Sequence, residues 1–158
     1  MTDAYIGLGT NLGDRAKHLQ QAVRALAAIP NVSVKRESLV YETQPVGGVA
    51  QDDYLNQVVQ VATSLAPMAL LLRLHEIEAL LHRQRIVRWG PRTVDLDLLL
   101  YDHVTQTTPE LTLPHPELAN RRFVLVPLLE VASKALVPTI ANMLAHTPDR
   151  NWVRPYLK

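Results

Sequence analysis

Apolar and polar positions change period several times along this chain, and each change marks an element. Residues 4 to 9, Ala-Tyr-Ile-Gly-Leu-Gly, read as a short buried strand. Thr10-Asn11-Leu12-Gly13-Asp14 follows with turn and helix-start residues, which predicts a helix from near Asp14. In that helix Leu19, Ala22, Val23, Leu26 and Ile29 share one face while Lys17, Gln20, Gln21 and Arg24 take the others. Pro30 closes it, because a proline ring offers no N–H to the ladder. Val32 to Thr43 reads as a strand from its β-branched and aromatic content, and valine-rich Tyr54 to Thr63 as another. The linker between them is longer than a tight hairpin needs and holds two glycines, so it is read as a mobile covering loop. Pro67 suits the first turn of a second helix, whose inward stripe is Leu70, Leu74, Ile77 and Leu81 with Glu78 beside it. Thr93 to Tyr101 closes the series as a strand.

The resulting order is strand, helix, strand, strand, helix, strand. It predicts an α+β fold of ferredoxin-like βαββαβ type, with helices packed on one face of an antiparallel sheet. Beyond it, Leu111-Thr112-Leu113 reads as a short strand, Phe123 to Ala132 as partly helical, and the proline-containing tail receives no assignment. A length of 158 residues suits one hydrophobic core, so residues 1–158 are read as a single domain.

Composition narrows the chemistry. The chain is 47% hydrophobic and 20% charged, which is that of a folded globular protein. No run approaches the roughly 20 apolar residues needed to cross a bilayer, and the first residues lack a signal-peptide layout, so a cytoplasmic location and no membrane partner are expected. Cysteine is absent, which removes disulfides, thiolate nucleophiles and Cys-ligated zinc and leaves carboxylate or imidazole metal sites. A net charge of +1 argues against an extended nucleic-acid surface. Arg83, Arg85, Arg88 and Arg92 nevertheless crowd one short stretch.

Just after those arginines, Asp95 and Asp97 alternate with Val94, Leu96 and Leu98, so a strand projects both carboxylates to one side. Neighbouring anions repel unless a cation lies between them, and magnesium favours such hard oxygen ligands while keeping water and phosphate oxygens. Alone, Asp-x-Asp also describes a solvated strand face, and the arginines alone describe a solvated loop. Together they suggest phosphoryl transfer, because guanidinium forks match phosphate oxygens. Trp89 either stacks on a flat ring or anchors its loop, and Tyr54 and Asn56 share a strand face that could meet a heterocycle. His115, held between Pro114 and Pro116, is a phosphate contact, a proton carrier or a structural hydrogen-bonder. Asn120-Arg121-Arg122-Phe123 is open to the reading of a surface turn with a core aromatic. Gly7-Leu8-Gly9 lacks the third glycine of a dinucleotide fingerprint.

RWGPRTVDLDLLLY at 88 to 101 closely resembles the signature of the 6-hydroxymethyl-7,8-dihydropterin pyrophosphokinases of folate biosynthesis. AYIGLGTN at 4 to 11, YETQPVG at 41 to 47, Tyr54-Leu55-Asn56, Ile77-Glu78 ahead of Arg83-x-Arg85, and LTLPHPELANRRF at 111 to 123 match in order, nearly the whole chain. The resemblance implies a ferredoxin-like fold with mobile catalytic loops and transfer of pyrophosphate from ATP to the pterin hydroxymethyl group, with release of AMP. It implies that Asp95 and Asp97 ligate two Mg2+ ions bridging ATP, the co-substrate. It further implies that Arg83, Arg85, Arg88, Arg92, His115 and Arg121 surround the phosphates, with His75 and Glu78 at the nucleoside. The pterin would lie between Tyr54 and Phe123, read by Asn56 and by Thr43, Pro45, Val46 and Gly47, with Trp89 closing over it. His82, Thr10 and Arg122 depart from residues common in the family, the first beside the arginine loop.

Catalysis would then be positioning and charge stabilisation, with Arg83, Arg92 and Asp97 as catalytic residues and Asp97 as a candidate proton acceptor. Closure of the 44–53 and 82–92 loops would exclude water. The partners expected are two small molecules, ATP and the pterin, met by a monomer. A nucleotidyltransferase with the same acidic pair would instead yield an adenylylated product, and a binding-only module of this fold would need no acidic pair facing arginines.

Overall fold

The structure, a computed structural model, describes residues 1–11, 13–43, 53–83 and 94–156, the side chains of 82 and 83 excepted. Along the chain come β1 (Thr2–Thr10), α1 (Arg15–Ala27), β2 (Val32–Glu37), β3 (Tyr41–Thr43), β4 (Tyr54–Thr63), α2 (Pro67–Arg83) and β5 (Asp95–Tyr101). They are followed by β6 (Gln106–Thr107), β7 (Thr112–Leu113), a 3-10 turn at Leu118–Asn120, α3 (Arg122–Val131), α4 (Val137–His146) and β8 (Val153–Pro155). The main sheet runs β5-β1-β4-β3-β8, with β2 also paired to β4, and every pairing is antiparallel. β6 and β7 make a separate hairpin, so the strand expected at 111–113 is present as one arm of it.

Alternation along β1 sets the two sides of the sheet. Ala4, Ile6 and Leu8 join Leu55, Val59 and Leu96 in a core closed by α1 and α2. α1 begins where Asp14 accepts a hydrogen bond from the Lys17 backbone N–H at 3.3 Å, an N-cap that satisfies one orphan donor. It buries Leu19, Ala22 and Leu26. α2 buries the expected stripe of Leu70, Leu74, Ile77 and Leu81, together with Leu71. Each such leucine contributes about 2 kcal/mol relative to exposure.

Helices were expected on one face only, and this is corrected: α3 and α4 cover part of the opposite face. Their Val124, Leu125, Leu128, Val131 and Ile140 pack on Tyr5, Val58, Leu99 and Leu100. The leucine run of β5 makes this possible. Leu98 and Tyr101 belong to the first core, whereas the consecutive Leu99 and Leu100 both belong to the second. The pairing with β1 slips by one residue between Tyr5 and Ile6, so β5 carries a bulge there and two successive side chains face one way.

The single strand expected over 32–43 is two strands. At the break the Ser38 N–H donates to the Val58 carbonyl at 2.9 Å, and the Ser38 hydroxyl accepts from the Val58 N–H at 3.0 Å. The chain thus stays bonded to β4 while it changes course. The tail left unassigned folds as α4 and β8, the latter pairing with β3 so that Thr43 faces Val153. Among the described residues no helix is long and apolar enough to cross a membrane.

Candidate active site

The two carboxylates of β5 stand opposite glycines. Asp97 pairs with Gly7 and Asp95 with Gly9 in the β1–β5 ladder, and on the far side of β1 the same glycines face Val58 and Asn56. Side chains would otherwise rise from β1 between the acids and β4, so the two glycines leave the sheet floor open. At Gly9 an added Cβ would lie 2.9 Å from Asn56 Oδ1, so any side chain there forces that amide to shift. Asp95 is exposed and Asp97 half-buried.

Over this floor lies a cavity of about 650 Å³. Its wall brings together Asp95 and Asp97 from β5, Thr43 from β3, Tyr54 and Asn56 from β4, and Arg121 and Phe123 at the start of α3. Asn56 is buried and donates from Nδ2 to Thr43 Oγ1 at 2.8 Å, which identifies its other amide atom, Oδ1, as the acceptor left toward the floor. The Arg121 guanidinium sits 5.9 Å from the Phe123 ring centroid, within cation–π reach, so the two side chains brace one another at the helix start.

His115 is half-buried beside this wall. Its N–H donates to the Leu99 carbonyl at 2.9 Å, and its Nδ1 accepts from the Glu117 N–H at 3.1 Å, which leaves Nε2 to carry the proton of the neutral ring. Burial lowers its pKa below the ordinary histidine value; Asp97 and Glu117 oppose that fall and Arg121 adds to it.

Two residues expected at the nucleoside lie apart from the cavity wall. His75 is exposed on α2, and Glu78 accepts from the Leu96 N–H at 2.9 Å, tying the start of β5 to α2. Pro45, Val46, Gly47, Arg85, Arg88, Trp89 and Arg92 lie outside the described residues, as do most of both expected covering loops. Arg83 closes α2, its side chain also outside them. Glu117, Asn120, Asp149 and Asn151 line the cavity although the sequence pattern gave them no site role. Glu117 and Asn120 sit inside the 111–123 motif; Asp149 and Asn151 fall in the unassigned tail, where their only signal is turn composition.

Among the described residues no group of three or more His, Asp or Glu side chains is placed to hold a metal. A pair of carboxylates with open space before it nonetheless fits magnesium, which takes one or two protein carboxylates and fills its octahedron with water and phosphate oxygens.

The 7,8-dihydro-6-hydroxymethylpterin-pyrophosphokinase (HPPK) profile matches residues 5–133, and the chain belongs to that family. The 2-amino-4-hydroxy-6-hydroxymethyldihydropteridine pyrophosphokinase of Haemophilus influenzae is 41% identical over 157 residues, 98% of each chain. The enzyme of that name from Bacillus subtilis is 47% identical over 131 residues, 83% of this chain and 78% of its own. The bifunctional protein FolKE of Lactococcus lactis subsp. lactis is 43% identical over 134 residues; these are 85% of this chain but 38% of that longer protein. Among solved structures, an HPPK-DHPS in complex with substrates aligns over 91% of this chain and 43% of its own, with a TM-score of 0.65 and 13% identity. The A437G HPPK-DHPS of Plasmodium falciparum aligns over 91% and 45% respectively, with a TM-score of 0.68 and 16% identity. At such identity these two speak for the fold.

Proposed function

We propose that this chain transfers the β,γ-pyrophosphoryl group of ATP to the hydroxymethyl oxygen of 6-hydroxymethyl-7,8-dihydropterin, giving AMP and the pterin pyrophosphate, a step of folate biosynthesis. The observation that carries this reading is one cavity with an acidic pair on β5 and an amide, a hydroxyl and two aromatics farther along the sheet floor. Family membership and the activity named for the relatives agree with it.

Asp95 and Asp97 would hold two Mg2+ ions, whose contribution when bound is to neutralise the triphosphate. The protein's own residues do the rest. Asn56, its Nδ2 occupied by Thr43, offers an acceptor to the N–H groups of the heterocycle, and Tyr54 and Phe123 supply flat apolar surface to the ring. Arg121 brings positive charge and His115 a hydrogen-bond donor to the phosphates. Held in line with the departing AMP, the hydroxymethyl oxygen loses its proton to Asp97 or water as it attacks the β-phosphorus. By the sequence pattern, Arg83, Arg85, Arg88 and Arg92 join the phosphates, Pro45, Val46, Gly47 and Trp89 the pterin, and His75 and Glu78 the nucleoside.

The same reading takes residues 1–158 as one domain and the strand order β5-β1-β4-β3 as ferredoxin-like, supported by the βαββαβ succession through β5. It takes the protein as a cytoplasmic monomer with small-molecule partners and no nucleic acid. Incubation with ATP, magnesium and the reduced pterin should yield AMP and pterin pyrophosphate in equal amounts. An adenylylated pterin with free pyrophosphate would indicate a nucleotidyltransferase, and unchanged ATP would sink both readings.

A further inference from the structure

The tail beyond the family match at residue 133 returns to the cavity, where Pro148, Asp149 and Asn151 form part of the wall. β8 is the edge strand on the side of β3, with β1, β4 and β3 between it and β5. Four strand spacings place it roughly 19 Å from the acidic pair. A ligand whose phosphates lie at Asp95 and Asp97 therefore presents its other end toward this turn.

The turn is tightly bonded through one carboxylate. Asp149 Oδ1 accepts from both the backbone N–H and the Nδ2 of Asn151, at 3.0 and 2.9 Å. Its Oδ2 accepts from the Arg122 N–H at 2.9 Å, between cavity residues Arg121 and Phe123. With Nδ2 donating to a carboxylate, the amide orientation of Asn151 is determined, and its Oδ1 is the atom left to accept. Among the described residues nothing donates to that oxygen. β8 itself is secured by Arg154, which donates from Nε and Nη2 to Glu42 Oε1 at 3.0 and 2.7 Å and stacks on Trp152 at 4.3 Å.

We infer that Asn151 is a further pterin-binding residue, its Oδ1 accepting an N–H of the heterocycle, and that Asp149 is the positioning residue that aims it. Asn56 and Asn151 would then present two oriented carbonyl acceptors from different sides of β3 to one donor-rich ring. The inference rests on the proposed pyrophosphokinase reading and names a specificity element of the same site.

Its test uses the full chain with Asn151→Ala, Asn151→Asp and Asp149→Ala, measuring AMP and pterin pyrophosphate release, KM for each substrate, and thermal unfolding. Asn151→Ala should raise the pterin KM about five- to tenfold, the scale of one hydrogen bond, with kcat, the ATP KM and the melting temperature near wild type. Asn151→Asp keeps an acceptor and should recover part of the pterin affinity. Asp149→Ala should raise the pterin KM similarly and also lower the melting temperature, because the Arg122 N–H loses its cap. An unchanged pterin KM in Asn151→Ala, or equal losses toward both substrates, overturns the inference while wild-type turnover leaves the reaction standing. A wild type that makes no pterin pyrophosphate refutes the reaction itself.

Discussion

The Tyr41 hydroxyl donates to Glu130 Oε1 at 2.7 Å, while Glu130 Oε2 accepts from the Leu39 N–H at 2.8 Å, so one carboxylate of α3 holds both the break after β2 and the strand β3. The strand thus secured places Thr43 against Asn56. Burial, then the hydrogen bond and charge of Glu130, push the Tyr41 pKa up to about 12. The fold therefore favours the neutral phenol: this stability is complete below pH 10 and is lost as pH rises from there through about 12. Difference absorbance titration of wild type against Tyr41→Phe should show one phenol ionising late, and Tyr41→Phe should cost about 1 kcal/mol in denaturant unfolding.

Asp97→Ala should fold with a normal melting temperature and lose at least about a hundredfold in turnover, the scale for removing one charge-stabilising group from a transition state. AMP release measured across a magnesium series gives the answer. Full activity would remove Asp97 from the ligand set.

His115 should titrate below an ordinary histidine in magnesium-free buffer, and Asp97→Asn should lower it further, since Asp97 is the largest influence holding it up. The neutral ring is the one the fold favours. Its contribution to stability is accordingly full above the unfolded value near 6.5 and declines as pH falls toward the depressed folded value. Imidazole proton shifts followed by NMR against pH report both effects, and a rise in Asp97→Asn would contradict the geometry.

Gly9→Ala sets a methyl 2.9 Å from Asn56 Oδ1. Because Asn56 is buried and bonded to Thr43, it relieves the contact only by breaking that bond. The expected result is a pterin affinity at least about tenfold weaker, the order of one lost oriented hydrogen bond with its partner left unpaired. Fluorescence titration with the pterin, alongside an ATP titration that changes little, checks it.

Several elements were legible because their patterns are strong: α1 and α2 carry an apolar helical stripe, β4 a valine-rich run, and β5 alternates as far as Leu98. The break at Ser38-Leu39-Val40 was not, since a lone serine is a weak turn signal and the bend depends on Glu130 from a remote helix. α3 was legible in part despite Pro127 inside it, whereas α4, with Pro138 in its first turn, falls in the unassigned tail. In the site, Asp95, Asp97, Tyr54 and Asn56 follow from strand alternation. Asp149 and Asn151 become neighbours of Arg122 only once the tail has folded back, a proximity no local pattern encodes.

The bulge in β5 has a consequence for parity. Tyr101 faces the core under α1 and α2, and counting back from it by twos would send Leu99, Asp97 and Asp95 to that same apolar interior. The one supernumerary residue reverses the count, so the acids emerge into the cavity while the tyrosine stays inside. If all three leucines between Asp97 and Tyr101 paired with β1 without the bulge, strict alternation would drive both carboxylates under α2, where each unpaired ion costs several kcal/mol. The site thus depends on the bulge between Asp97 and Tyr101 as much as on the identity of the two acids.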